Sequence, residues 1–301
     1  MEANATVTGH SNRMLGGTRG RTQRKGMDRL HIQGAIILVL LLMLCIALLP
    51  LAVTFLRSIK TNFEISQGVW VLPANPVWSN WVVGFQGMMR NLFNSIAVSS
   101  IVTVMTILIS SISSYVFARH EFPGKNAIFL IILTLLMIPG VLTLTPSFVL
   151  MMNLGLRNSW WALILPTTSG LQVGSILLLR TFMSQQPVEL YEAVKIDGGG
   201  DWIQYTQIAV PLAILAIAIQ AVGIFSAIYN DFLWPMLVID DDRRQMLMPI
   251  IRNFTQQIMG VFPNIGAVDA IFLLSGVPLI ITTFMSLKYF INGDFASGMK
   301  L

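Results

Sequence analysis

Twenty-eight consecutive residues between Arg90 and Arg119 contain no Asp, Glu, Lys or Arg, and gaps of this kind recur along the chain. Residues 35–56 are free of charge, 31 residues separate Lys125 from Arg157, and 22 separate Arg157 from Arg180. A further 29 lie between Asp201 and Asp231, and 18 between Asp269 and Lys288. A bilayer core about 30 Å thick is crossed by roughly 20 apolar residues of helix. Six gaps therefore predict six helices, near 34–57, 92–118, 127–151, 159–181, 207–233 and 268–288. The runs are continuously apolar and lack the alternation of a transmembrane strand, so helix is the expected state. Charged residues make up 11% of the 301, and the mean hydropathy is +0.71. A soluble domain carries about 25% charge, so a soluble enzyme, a disordered tail and a disulfide-built secreted domain are all excluded. The lone Cys45 lies in the first span and reads as a small apolar residue.

An even number of spans places both termini on one side, and basic residues choose the side. With both ends cytoplasmic, the inner segments hold 12 of the 19 Lys and Arg, including Arg13, Arg19, Arg21, Arg24, Lys25 and Arg29 ahead of the first span. The outer segments hold the other 7. The first apolar run exceeds the h-region of a signal peptide and no small-x-small site follows it, so it reads as a retained helix. The expected organisation is a basic tail over 1–32, a membrane domain over 33–290 and a short cytoplasmic tail over 291–301. The basic tail suits anionic lipid, and nucleic acid is not expected as a partner.

The helix interiors lack ionisable residues, the usual mark of an ion-coupled carrier or a membrane enzyme. His120-Glu121 could open a zinc-protease motif, but Gly124 stands where the second His belongs. No nucleophile elbow, Cys pair or phosphate-binding loop occurs, so neither a metal nor a bound cofactor is expected on this chain. The hydroxyls of the second span (Ser95, Ser99, Ser100, Ser110, Ser111, Ser113 and Ser114) suit close helix packing or a pore wall. Pro139, Pro146, Pro166 and Pro278 can break their helices beside a neighbour or a wet cavity. Broken helices without internal charge suit a pathway for a neutral polar solute. Asn94, Asn153, Gln172, Asn230 and Trp234 are the candidate pathway residues, since amides and aromatic faces hold sugars. Most tryptophans fall near the outer boundary, where an aromatic belt accounts for them. Asp240–Arg244 reads as a solvated outer loop.

The connection between the fourth and fifth spans, residues 183–206, concentrates Glu189, Glu192, Asp197 and Asp201 in a chain with only 14 acidic residues. Pro187 can start a helix with Glu189 near the positive end of its dipole. Leu190, Ala193, Val194 and Ile196 then form an apolar face. Asp197-Gly198 turns the chain, and a second short helix from Asp201 carries Trp202 and Tyr205. Such a segment either rests on lipid or docks in a groove of a cytoplasmic partner. Its acidity favours the partner, because the inner leaflet is itself negative.

This segment resembles the EAA loop of ABC-importer permeases, whose pattern is Glu-Ala-Ala, Asp-Gly-Ala, then a hydrophobic pair ending in Leu-Pro. Glu192-Ala193-Val194, Asp197-Gly198-Gly199, Ile208 and Val210-Pro211 stand in those places, with Val194, Gly199 and Val210 as departures. Asn94-Ser95, Ser114–Arg119 with Phe122–Lys125, Leu154–Ser159 with Ala162–Pro166, Tyr229–Pro235 and Lys288–Gly293 resemble the carbohydrate-uptake, maltose-type branch. The likeness spans roughly residues 33 to 301, with Asp294 and Met299 departing from the closing motif.

The resemblance implies an all-α membrane protein of six transmembrane helices, the type I ABC-importer permease fold, with a cytoplasmic coupling helix between helices 4 and 5. It implies a subunit in a prokaryotic plasma membrane that is not itself an enzyme. The implied partners are a second permease subunit, two ATPase subunits that bind ATP-Mg, an extracytoplasmic binding protein and a carbohydrate substrate. Glu192, Ala193, Val194, Asp197, Gly198, Ile208 and Pro211 are then the expected ATPase-coupling residues. An importer for a non-sugar solute, or a secondary transporter, remains the alternative.

Overall fold

The computed structural model describes the backbone of residues 17–261 and 263–298, and the side chains of residues 32–260 and 263–287. The basic side chains before Ile32 and the side chains of the closing segment, Lys288 included, lie outside the described residues. Every regular element among the described residues is helical.

The chain divides at Leu56/Arg57 into two units. The first is the body of α1 (Gly17–Ser58), whose apolar residues from Ile32 to Leu51 are exposed on all sides. A helix apolar all round belongs in lipid rather than on a soluble core. Both α1 and the last helix extend past their apolar runs, so the segments read as terminal tails are helical in part.

The second unit opens with α2 (Asn62–Gln67), a single turn started by a capping box. Glu64 Oε2 accepts from the Thr61 amide at 2.9 Å, and Glu64 Oε1 accepts from the Ala74 amide at 2.9 Å. Then comes α3 (Ser79–Arg119), 41 residues long and the axis of the unit. Its helix starts well before the expected residue 92, because the polar residues Asn80, Asn91 and Asn94 are buried there rather than left in a loop. The hydroxyl stripe of α3 faces protein: Ser95, Ser99, Thr106, Ser110 and Ser114 are each 0% exposed. These small side chains let α6 (Trp160–Ser184) lie close along α3, and Ser114 Oγ donates to the Ile176 carbonyl at 3.0 Å.

Between them, α4 (Lys125–Thr134) continues through a 3₁₀ turn and meets α5 (Gly140–Asn153) at a 98° bend. Pro139 stands at that break, where its missing N–H and fixed φ stop the first helix. The expected continuous third span is therefore two segments. The fifth is also broken. After the separate helix α7 (Val188–Ile196), it consists of α8 (Asp201–Gln204), a π-turn over Tyr205–Ala209, α9 (Val210–Leu212) and, after Ala213, α10 (Ile214–Tyr229). The segment 201–212 meets α10 at 74°. Phe232 to the last helix holds α11 (Leu233–Val238) and α12 (Leu247–Val261), and α13 (Ile265–Gly298) follows.

Four of these helices are long and apolar enough to cross a membrane, and six spans result if each bent pair counts as one. The N-terminal ends of α3, α6 and α13 share one end of the bundle with α2 and α12. The C-terminal ends of α3 and α6 share the other with α7.

Candidate functional site

The acidic segment forms a helix, a turn and a second helix, the first of them tied to the bundle by one buried side chain. Tyr191 is 4% exposed and packs with Tyr115, Met183, Tyr205, Ala209 and Ala213. Glu192, Ala193 and Asp197 point outward and are exposed, and Val194 is half-buried. Ile196, 85% exposed, and Trp202, 67% exposed, leave apolar tips uncovered on the same handle.

The turn closes by the hydrogen bonds of a Schellman motif. Gly198 N donates to the Lys195 carbonyl at 3.1 Å and Gly199 N to the Val194 carbonyl at 2.8 Å. Gly198 has φ +79°, which a residue with a Cβ adopts only under strain. Asp197-Gly198 thus stops α7 after little more than two turns and returns the chain to the bundle. Farther on, Ile208 is half-buried against the tyrosine cluster and Pro211 is exposed just before the bend.

Tyr205, expected on this segment, joins the site, as do Arg119 and Gln186, to which the sequence assigned no part in it. Arg119 Cζ lies 4.1 Å from the Tyr191 ring centroid, and its Nη2 donates to the Met183 carbonyl and, at 2.7 Å, to that of Gln186. The Tyr191 hydroxyl donates to Gln186 Oε1, while Gln186 Nε2 donates to the Ala209 carbonyl at 3.1 Å. Tyr205 and Ser111 share a hydrogen bond of 2.7 Å. Burial pushes the Tyr191 phenol above its ordinary pKa, so it stays a donor at neutral pH. The signal in the sequence was an Arg ending a span and a Tyr inside an acidic helix, neither distinctive alone.

At the other end of the bundle, the candidate pathway residues take different places. Asn94 Nδ2 donates to the Arg243 and Gln245 carbonyls at 2.9 and 3.0 Å, and Asn91 Nδ2 donates to those of Asp242 and Gln245 at 2.7 and 2.9 Å. Both amides are spent on fixing a loop. Trp234, 7% exposed, donates its indole N–H to the Ala162 carbonyl at 2.9 Å. It also lines a cleft of about 130 Å³ with Thr143, Ser147, Thr167 and Asp231. Asn230 is exposed and donates back to the Ser226 carbonyl at 2.8 Å. Asn153 is exposed at the end of α5, and Gln172 is half-buried in α6.

The loop Asp240–Arg244 is largely exposed, as the sequence suggested, and is also held by hydrogen bonds. Asn158, at φ +61°, accepts from the Asp240 and Asp241 amides through Oδ1, and its carbonyl accepts from Arg244 at 2.8 Å. Arg157 pairs with Asp240 at 2.9 Å. Beside this loop lies a recess of about 420 Å³ whose lining includes Phe232, Asp240, Asp242, Arg252, Asn253 and Gln256.

Apolar broken spans around a long central helix, with a polar handle at one end, define a membrane-embedded transport component rather than an enzyme. The chain belongs to the family described as binding-protein-dependent transport system inner membrane component, whose model matches residues 107–292. The trehalose/maltose transport system permease protein of Thermococcus litoralis is 32% identical over 209 residues, 69% of this chain and 74% of its own. The diacetylchitobiose uptake system permease protein of Streptomyces coelicolor is 28% identical over 246 residues, 81% of each chain. A chain from the crystal structure of a bacterial ABC transporter that imports the acidic polysaccharide alginate superposes with a TM-score of 0.74. That pair is 21% identical and covers 86% of this chain and 97% of the other, a likeness of fold. The protein is a multi-pass membrane permease subunit of an ABC importer.

Proposed function

We propose that this permease subunit carries a sugar or oligosaccharide, delivered by an extracytoplasmic binding protein, through a pathway shared with a second permease subunit. Two ATPase subunits binding ATP-Mg supply the energy, and both termini of this chain are cytoplasmic. The observation that carries the reading is the handle itself: a capped helix with Glu192 exposed at its middle and apolar tips at Ile196 and Trp202, anchored from within by Tyr191. Exposed apolar tips around a carboxylate suit a groove with a basic residue in its wall, as an ATPase subunit would offer. Ala193 and Val194 would pack in that groove, while Asp197-Gly198 keeps the turn.

Sugar relatives on both sides of the comparison support the solute class, as does the chemistry of the outer recess. Carboxylates, amides and one aromatic ring, here Asp242, Asn253, Gln256 and Phe232, are groups suited to paired hydroxyls and to a sugar's apolar face. The test is ATP-dependent uptake by the reconstituted complex against a panel of mono- and oligosaccharides. Uptake of at least one sugar is expected, and Glu192→Lys should abolish it while the subunit still inserts. Normal transport by that variant would remove the handle from the mechanism.

A further inference from the structure

We infer that Arg119 is the positioning residue that makes the coupling helix α7 and the ends of α3 and α6 move as one body. This rests on the handle being the ATPase contact, and it concerns how motion there reaches the spans.

Arg119 is the last residue of α3, and its guanidinium reaches two other elements. Nη2 donates to the carbonyl of Met183, in the last turn of α6, and to that of Gln186, in the link that follows. Terminal carbonyls of a helix lack intrahelical partners and carry the negative end of its dipole, so a cation is the group best suited to them. The same guanidinium covers the face of Tyr191, the one buried residue of α7, at 4.1 Å. From Tyr191 the connection continues through Gln186 to the Ala209 carbonyl at the end of the π-turn. One planar ion therefore joins α3, α6, α7 and the segment leading to α10.

The covalent connections of α7 cannot do this work. Gln185–Pro187 on one side and Asp197–Gly200 on the other are short non-helical links, the second with a glycine at φ +79°. Such links transmit position but little orientation. The fork of an Arg, packed flat on an aromatic ring while donating from its edge, holds both, and a Lys in its place would keep the charge without the plane. Arg119 is half-buried, so its bonds are shielded from water.

The test compares sugar moved per ATP hydrolysed by the reconstituted importer, with wild type, Arg119→Ala, Arg119→Lys and Tyr191→Leu. Arg119→Ala is expected to keep ATP hydrolysis and ATPase-subunit binding while the ratio falls about tenfold, within the range by which residues along a coupling route alter it. Arg119→Lys, which keeps the charge without the plane, should recover the ratio only in part and stay below wild type. Tyr191→Leu should fall in the same direction, and the double variant Arg119→Ala with Tyr191→Leu should lose little more than either alone. A wild-type ratio in Arg119→Ala, or losses that simply multiply in the double variant, would overturn the inference. Should Arg119→Ala fail to assemble, wild-type ratios in both Arg119→Lys and Tyr191→Leu would overturn it equally. A wild-type complex without ATP-dependent uptake instead defeats the functional reading and leaves the geometry of Arg119 unaffected.

Discussion

A methyl group of Val194 occupies the space that a side chain on Gly199 would need. A Cβ built on Gly199 would stand 2.5 Å from Val194 Cγ1 and 3.1 Å from the Val194 carbonyl oxygen. The family pattern carries Ala at both places, so the two departures seen in the sequence compensate each other. Bulk added at one is removed at the other, across the turn that ends α7.

This pair yields a prediction of sign reversal. Gly199→Ala alone overpacks the turn, at a cost of about 1–3 kcal/mol. Adding Val194→Ala should return the stability to near wild type. Thermal unfolding of the detergent-purified subunit, with hydrogen exchange over residues 188–205, measures both. Equal damage in the single and double variants would show that the two positions are independent.

A second close approach fixes α12. A Cβ on Gly87 would fall 1.7 Å from Cζ of Phe254, so the ring of α12 lies directly against the backbone of α3. Gly87→Ala should therefore lift α12 and raise hydrogen exchange across 247–261, without changing exchange in α7. Phe254→Leu in the same chain should restore protection.

The Asn91 and Asn94 clamp makes a protease prediction. Each amide donates to two loop carbonyls, and leaving the buried one, that of Gln245, without a donor costs about 1–3 kcal/mol. In the double variant Asn91→Ala with Asn94→Ala, trypsin should cut after Arg243 or Arg244 far faster than in wild type. Unchanged cleavage would mean that Asn158 alone retains the loop.

Glu64 makes the turn at α2 sensitive to acid. Amide hydrogen bonds from Thr61 and Ala74 hold its carboxyl below the ordinary 4.5. The ionised form is thus favoured on folding. Its contribution is complete above that ordinary value and disappears as the pH falls through the lower folded one. A nitroxide at Gln67 should gain mobility only in strongly acidic buffer. In Glu64→Gln the mobility should be flat with pH, and an identical acid response in that variant would assign the transition to another group.

The parts of this molecule that scarce charge controls were readable from the chain. Gaps between Arg and Lys located the spans, and Pro139 foretold the break in the third. The acidic run from Glu189 to Asp201 marked the handle, and the Pro187 and Gly198 signals bounded its helix. What escaped depends on meetings between distant segments. Asn94 has the same amide whether it faces a sugar or a loop carbonyl, and only the return of residues 242–245 to α3 decides between them. The helix α12 escaped because Arg252 interrupts it, so a reading based on uncharged runs passes over an amphipathic one. Arg119 looked like the basic flank of a span, which it is, and its grip on Tyr191 is invisible until α6 and α7 are folded beside it.

The bend at Ala213 gives the handle unequal limbs. On one side α7 follows α6, a single helix of 25 residues, after three residues of link. On the other it reaches α10 only through a π-turn and a 74° corner. Both links are short and non-helical, but one runs into an unbroken helix and the other into a corner. A displacement applied to α7 would therefore be taken up along the axis of α6 but about the corner before α10.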